Sequence, residues 1–275
     1  MKTGIGIGIG YGTFKKSGLS PAQISANFTS RVVAAGGSLT STEQNAVLAL
    51  VTSMVADGTW STMKAIYPMV GGSAASCAQN LVSASHTGVF TGGWVFNPTG
   101  ARGNGVSTYM NTFIDPSVIL SGVSSCLSFY SRTVSTGNYT EMGSQNGFVI
   151  LDRVSLAVSY SGTGYFDQND YSTGRIGAAN ATSTGWYAMS RTSNVMQKAF
   201  KNNAQLGATN TSTMNSPFPA AQIFVGGFNF NDGINFQYSN RECAFAHISN
   251  GLSDAQVSSL YTNVQAFQTS LSRQV

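Results

Sequence analysis

Hydrolysis of a glycosidic bond needs two carboxyl groups at a set separation, one to attack or activate water and one to protonate the leaving oxygen. The ten acids of this chain are Glu43, Asp57, Asp115, Glu141, Asp152, Asp167, Asp170, Asp232, Glu242 and Asp254. No two stand at i, i+2, the spacing that places both on one face of a strand. A Gly-x-Ser-x-Gly elbow, a phosphate-binding loop and a His-Glu-x-x-His pair are missing, and the N-terminal glycines do not fall in the G-x-G-x-x-G spacing. Of the two histidines, His86 and His247, the second lies in an alternating apolar run, where a hydrogen-bonded structural role is expected. The chain therefore reads as a protein without catalysis, and binding is the chemistry left to it.

Residues suited to binding gather in two stretches. Asp167, Asn169 and Asp170 fall in an expected loop from Gly164 to Tyr171, and Asn229, Asn231, Asp232 and Asn235 fall in another. Calcium is held by several such oxygens converging, which makes Asp167, Asp170 and Asp232 candidate ligands. Turns use the same side chains to bond their own backbone, and both readings stay open. Tyr165, Tyr171 and Tyr238, with Asn229 and Asn231, are candidate contacts for a glycan, the rings stacking on sugar faces and the amides meeting hydroxyls. Aromatic rings also serve core packing, and that reading stays open too. Calcium aside, no cofactor is indicated.

Composition narrows the classes further. Only 9% of residues are charged, Gly reaches 31, and 14 basic against 10 acidic residues leave a net charge of +4. Lys15-Lys16 is the sole adjacent pair of like charge, so the clustered footprint of a nucleic-acid binder is lacking. Cys77, Cys126 and Cys243 are widely spaced and odd in number, which fits buried thiols formed in a reducing cytosol. The Gly-Ile tract near the N-terminus is too rich in glycine for a signal-peptide core. No apolar run approaches the roughly 18 residues of a membrane span, so membrane insertion is not expected.

The elements that must position these residues are legible from periodicity. Residues 1–19 form an expected arm in which Ile5, Ile7 and Ile9 alternate with glycine and share one face of an extended chain. Such a strand suits addition to a sheet edge of a neighbouring subunit. Residues 20–70 read as a helical hairpin and connector. Ser20 and Pro21 open the first helix, Ile24, Phe28 and Val32 give it an apolar stripe, and Gly36-Gly37 stops it. Thr40 and Glu43 form a capping box before Val47, Val51 and Met54. From about Trp60 the period shortens to two. Candidate strands are 89–96, 107–113, 126–134, 147–151, 155–160, 186–191, 195–201, 222–228 and 242–248, the pattern of a sandwich or jelly roll over residues 71–275. A last helix starts at the Ser253/Gln256 capping box and carries Val257, Leu260, Val264 and Phe267 on one stripe.

Three segments carry a family resemblance. They are Trp186–Arg191 with the hairpin return from Val195 to Leu206, the glycine-ended Ile223–Gly227, and Glu242–Ile248 followed by Gly251-Leu252-Ser253-Asp254-Ala255-Gln256. They resemble the second half of concanavalin A-like, laminin-G-type domains. The resemblance implies a mainly β fold, a jelly-roll sandwich with an N-terminal helical hairpin and a C-terminal helix. The whole chain, through Trp60–Gly72 and Leu252–Val275, is also similar to proteins of tailed bacteriophages, especially those infecting Bacteroidetes. That resemblance implies a virion structural protein, on the capsid as decoration or head fibre or in the tail and baseplate. It implies partners among other virion proteins through the arm, a homo-oligomer such as a trimer, and assembly in the host cytoplasm. Two further readings accompany it: an adhesin for a host surface glycan, and a polysaccharide hydrolase.

Overall fold

The computed structural model describes residues 18–120, 123–135, 137–147, 152–214, 217–231 and 236–275. Ile5, Ile7, Ile9 and Asp232, and most of the strand expected at 147–151, lie outside them.

Helices begin where capping chemistry predicts. Ser20 accepts from the Gln23 amide and the Gln23 side chain returns the bond, opening α1 (Pro21–Ala34). Thr40 and Glu43 do the same for α2 (Ser41–Ala56). The chain continues through β1 (Met63–Tyr67), α3 (Ala74–Cys77), β2 (Val89–Thr91), β3 (Val95–Asn97), β4 (Gly100–Arg102), β5 (Tyr109–Asn111) and α4 (Pro116–Ile119). Then come β6 (Ser125–Ser131), β7 (Met142–Gln145), β8 (Arg153–Tyr160), β9 (Thr163–Asn169), β10 (Arg175–Ala179), β11 (Gly185–Ser193), β12 (Met196–Lys201) and β13 (Ala204–Gln205). The last elements are β14 (Phe224–Val225), β15 (Gly227–Asn229), β16 (Phe236–Tyr238), β17 (Glu242–Ser249) and α5 (Asp254–Ser270).

Two sheets face each other. The first runs β13-β12-β11-β6-β17-β4-β3, with β1 also paired to β17; the second runs β10-β9-β8-β7-β14-β5-β2, with β15 and β16 attached. Among the described residues pairing is antiparallel except for one parallel bridge, Asn229 to Ser144. The protein is a mainly β sandwich with a helical pair and a C-terminal helix, as expected.

Several boundaries differ from expectation. Residues 63–67, read as connector, form a sheet strand: all but Lys64 are buried, and a strand covered on both sides shows no alternation. The expected strand 89–96 divides at Gly92-Gly93, and its halves join different sheets. The 222–228 run divides at Gly226, where φ is +71° and an added Cβ would lie 2.3 Å from the Trp94 ring. The stretch from Gly164, read as a loop, is β9 as far as Asn169.

Two apolar layers result. Leu127, Phe129, Tyr187 and Met189 of the first sheet meet Leu156, Val158, Phe166 and Val225 of the second. On the other side of the first sheet, Tyr130, Trp186, Ala188 and Phe245 are roofed by Phe28, Val47, Val51, Val257, Leu260, Val264 and Phe267 of α1, α2 and α5. Each such side chain removed from water contributes roughly 1.5–3 kcal/mol, which is what holds the helices down. Arg273, fully buried just after α5, donates to the carbonyls of Pro68, Met69 and Ala244 and ties the helix end to β1 and β17.

His247 lies in this roofed layer, fully buried, its Nδ1 against Ser128 Oγ and its Nε2 3.2 Å from Ser249 Oγ. Burial pushes its pKa down from 6.5 to about 3. The folded protein thus keeps the ring neutral while the unfolded chain protonates it below about pH 6.5. Stability is therefore present above that pH and is lost progressively as pH falls toward 3, at about 1.4 kcal/mol per pH unit. Urea unfolding should show a loss of about 2 kcal/mol between about pH 6.5 and pH 5. His247→Gln should flatten that interval; an unchanged slope would contradict the buried neutral ring.

Candidate functional site

The second sheet carries the chemistry on its outer face. Val154, Leu156, Val158, Phe166 and Ile176 point into the core. Alternation therefore leaves Arg153, Ser155, Ala157, Tyr165, Asp167 and Arg175 on the other side. Register sets them in rows, with Ser155 and Arg175 each opposite Asp167, and Ala157 and Gly177 each opposite Tyr165. Gly177 gives the tyrosine room: a Cβ there would already touch its ring at 3.4 Å.

Asp167 organises the rows. Its fully buried carboxylate accepts from Arg175 Nε at 2.7 Å and Nη2 at 2.8 Å, a fork, and from Ser155 Oγ at 2.8 Å. Arg153 Nε stands 2.9 Å from the same group. The Arg175 guanidinium lies 4.7 Å from the Tyr165 ring and 4.2 Å from the Tyr171 ring, and Arg153 lies 4.4 Å over Phe228 and 5.6 Å from Tyr171. Contacts of this kind contribute about 0.5–2 kcal/mol each. Burial lowers the pKa of Arg153 despite Asp167 beside it. At Arg175 burial also lowers it, but the hydrogen bonds and charge of Asp167 outweigh that and raise it. Both side chains remain cations.

Over this network lies a depression of about 320 Å³ lined by Thr140, Arg153, Ala157, Tyr160, Tyr165, Tyr171, Arg175 and Gln237. Among the described residues it contains two cations, three tyrosines and no carboxylate, since Asp167 sits beneath the floor. Tyr160 and Tyr171 are 37% and 38% exposed, so their rings are open to a ligand. A larger hollow, about 510 Å³ between the α1–α2 turn, the β3–β4 turn and the end of α5, holds less chemistry. Its one charged residue, Glu43, is occupied by the Thr40 cap and by the Gly71 amide at 2.7 Å.

Of the residues singled out from sequence, Tyr165 and Tyr171 are brought together around Arg175. Tyr238, in β16, packs instead on Tyr109, which stacks on Phe224 at 4.2 Å. Asn229 is buried, its amide donating to Gln222 O and its carbonyl accepting from Asn231 N. Asn231, exposed at φ +57°, reaches Asn146. These two asparagines close a turn. Asp170 likewise holds the amides of Ser172 and Thr173, and Asp167 is committed to arginine. Among the described residues no group of three or more His, Cys, Asp or Glu is placed to hold a metal. No helix among them is long and apolar enough to cross a membrane.

Arg153, Arg175, Tyr160, Thr140 and Gln237 were not singled out. The signal for Arg175 was present: an acid and an arginine eight apart, bracketing a short turn, face each other if the segment is a hairpin. Asp167→Asn should leave two arginines close together without their counter-charge and destabilise the fold by about 2–4 kcal/mol, allowing for their partial exposure. Thermal and urea unfolding would measure it; a loss below about 0.5 kcal/mol would mean the network contributes little.

No protein-family model matches the chain, and no curated protein matches it. Solved structures do. Domain 4 of AbnA, an extracellular arabinanase from Geobacillus stearothermophilus solved in complex with arabinotriose, aligns with a TM-score of 0.50 at 15% identity over 72% of this chain and 98% of that one. The binding domain of botulinum neurotoxin serotype D aligns at 0.48 and 11% identity, over 76% of this chain and 52% of its own. Trypanosoma rangeli sialidase in complex with sialic acid aligns at 0.47 and 8%, over 73% and 33%. The chain thus spans about half of the toxin domain and a third of the sialidase. The likeness is one of fold: a jelly-roll-like β-sandwich.

Proposed function

We propose that this protein is a non-catalytic glycan-binding module. The observation that carries the reading is the tyrosine and arginine depression on the outer face of the second sheet, the face opposite the helical roof. Rings open to solvent offer stacking surfaces, and fixed guanidinium and amide groups offer hydrogen bonds to hydroxyls, the combination that ligand sites use. Support also comes from the arabinanase domain, a sandwich of this fold solved with a bound oligosaccharide. That the described lining residues include no acid favours binding over hydrolysis. On a glycan array the protein should retain at least one oligosaccharide, and Tyr171→Ala should weaken that retention about tenfold, or about 1.4 kcal/mol. Retention of no glycan would end the reading.

The setting we infer is a tailed-phage particle, with the module on the capsid or tail as an oligomer held by its N-terminal arm to other virion proteins. The segments that resemble phage proteins, 60–72 and 252–275, belong to β1 and α5 and so to the helical side. Attachment by that side would turn the depression outward. Labelled antibody against the chain should decorate purified particles in electron micrographs; unlabelled particles from a host that expresses the protein would remove the assignment.

A further inference from the structure

If the depression binds glycans, as proposed, its charge selects among them, and that selection rests on the glycan reading. Among the described residues its lining has two arginines and no acid. One buried carboxylate, Asp167, lies against both guanidinium groups, so the cluster keeps one net positive charge. Their hydrogen bonds are unevenly spent. Arg175 gives Nε and Nη2 to Asp167, and Arg153 gives Nε to Ser155 and Nη1 to Gln145. Among the described residues, Nη1 of Arg175 and Nη2 of Arg153 have no hydrogen-bond acceptor. Neither is a sealed, unsatisfied atom, and both side chains keep some exposure, 25% and 14%.

Two tyrosine rings against the guanidinium and a forked bond to Asp167 leave Arg175 little rotamer freedom, so a ligand pays little entropy to engage it. A neutral sugar would leave the surplus charge unanswered, whereas a carboxylate or sulfate would meet guanidinium N–H groups already in place. Arg175 also borders a second, polar hollow of about 470 Å³ formed with Ser172, Thr173 and the 208–212 segment, which Asn210 fixes through Thr173 O at 2.6 Å. Two adjoining hollows with an arginine between them suit a chain of sugars better than one.

We infer that the site takes an acidic oligosaccharide, its anionic group on Arg175 and Arg153, one sugar against the tyrosines and a neighbour along the Ser172–Thr173 hollow.

The test uses the full chain and matched probes: uronic-acid oligosaccharides and their methyl esters, sialylated glycans and their desialylated counterparts, and sulfated glycans and their unsulfated counterparts. Titration calorimetry at low and high salt would follow array screening. The acidic member of at least one pair should bind tenfold or more tighter than its neutral counterpart, and raising salt from about 50 to 500 mM should erase most of the difference. Arg175→Gln should weaken the acidic probe at least tenfold more than its neutral counterpart, so that the difference within the pair disappears even as both lose affinity. The methyl-ester comparison needs no variant, so it decides the matter even if Arg175→Gln folds poorly. Equal affinity within every pair would overturn the inference and leave the glycan reading standing. Retention of no glycan would overturn both.

Discussion

Everything in this molecule depends on how the outer faces of a two-sheet sandwich are treated. The inner faces must be apolar because they meet each other, but each outer face can be either wet or covered. Here the first sheet is apolar on both sides and the second is not. Cys126, Tyr130, Trp186 and Phe245 on the far side of the first sheet could not face water together, so α1, α2 and α5 are required parts of the fold. By the same logic the polar outer row of β8, β9 and β10 is held by its own ion pairs and needs no helical cover, and function has room there.

The buried polar groups answer a different need, that of irregular backbone enclosed in the two layers. A chain with 9% charged residues has few ions to use, yet Arg191, Arg241 and Arg273 are fully buried. Each ties separate stretches of chain together. Arg241 pairs with buried Glu141 at 2.6 Å and donates to carbonyls of Ser135, Gly137 and Ser159. Arg191 holds the β11–β12 turn and Gln197, and burial lowers its pKa to about 10. Non-repetitive backbone inside a core leaves carbonyls without ladder partners, and a planar guanidinium with five N–H groups can satisfy several at once.

Sequence reasoning succeeded where a local rule acts alone. Capping boxes at Thr40/Glu43 and Ser253/Gln256 placed two helix starts, and the apolar stripe of α5 was readable as a docking surface. It failed where burial is two-sided or where a strand is built for function. Met63–Tyr67 shows no alternation because both its faces are covered. The segment Thr163–Asn169 is dense in Gly, Tyr, Asp and Asn, residues that mark turns, and its polar content belongs to the binding row instead. Tyr165 and Tyr171 were found because tyrosines amid Gly, Asp and Asn stand out by type. Arg153 and Arg175 were not, since their value comes from register with Asp167, which only pairing across β8, β9 and β10 establishes.

A low charge density gives those two arginines their significance. On a highly charged surface, neighbouring ions of both signs would blur the field of a single surplus guanidinium within a Debye length, about 8 Å at physiological salt. Three acids of the second sheet and its loops are engaged by the protein itself. Asp167 is under the floor, Glu141 is buried with Arg241, and Asp170 is bound to its own turn. The rest of the exterior is largely Ser, Thr, Asn and Gly, which carry no net charge. The cluster of Arg153, Arg175 and Asp167 therefore keeps one surplus positive charge. Selectivity for charge can then be achieved with one surplus cation, because few other ions on the surface compete for the ligand.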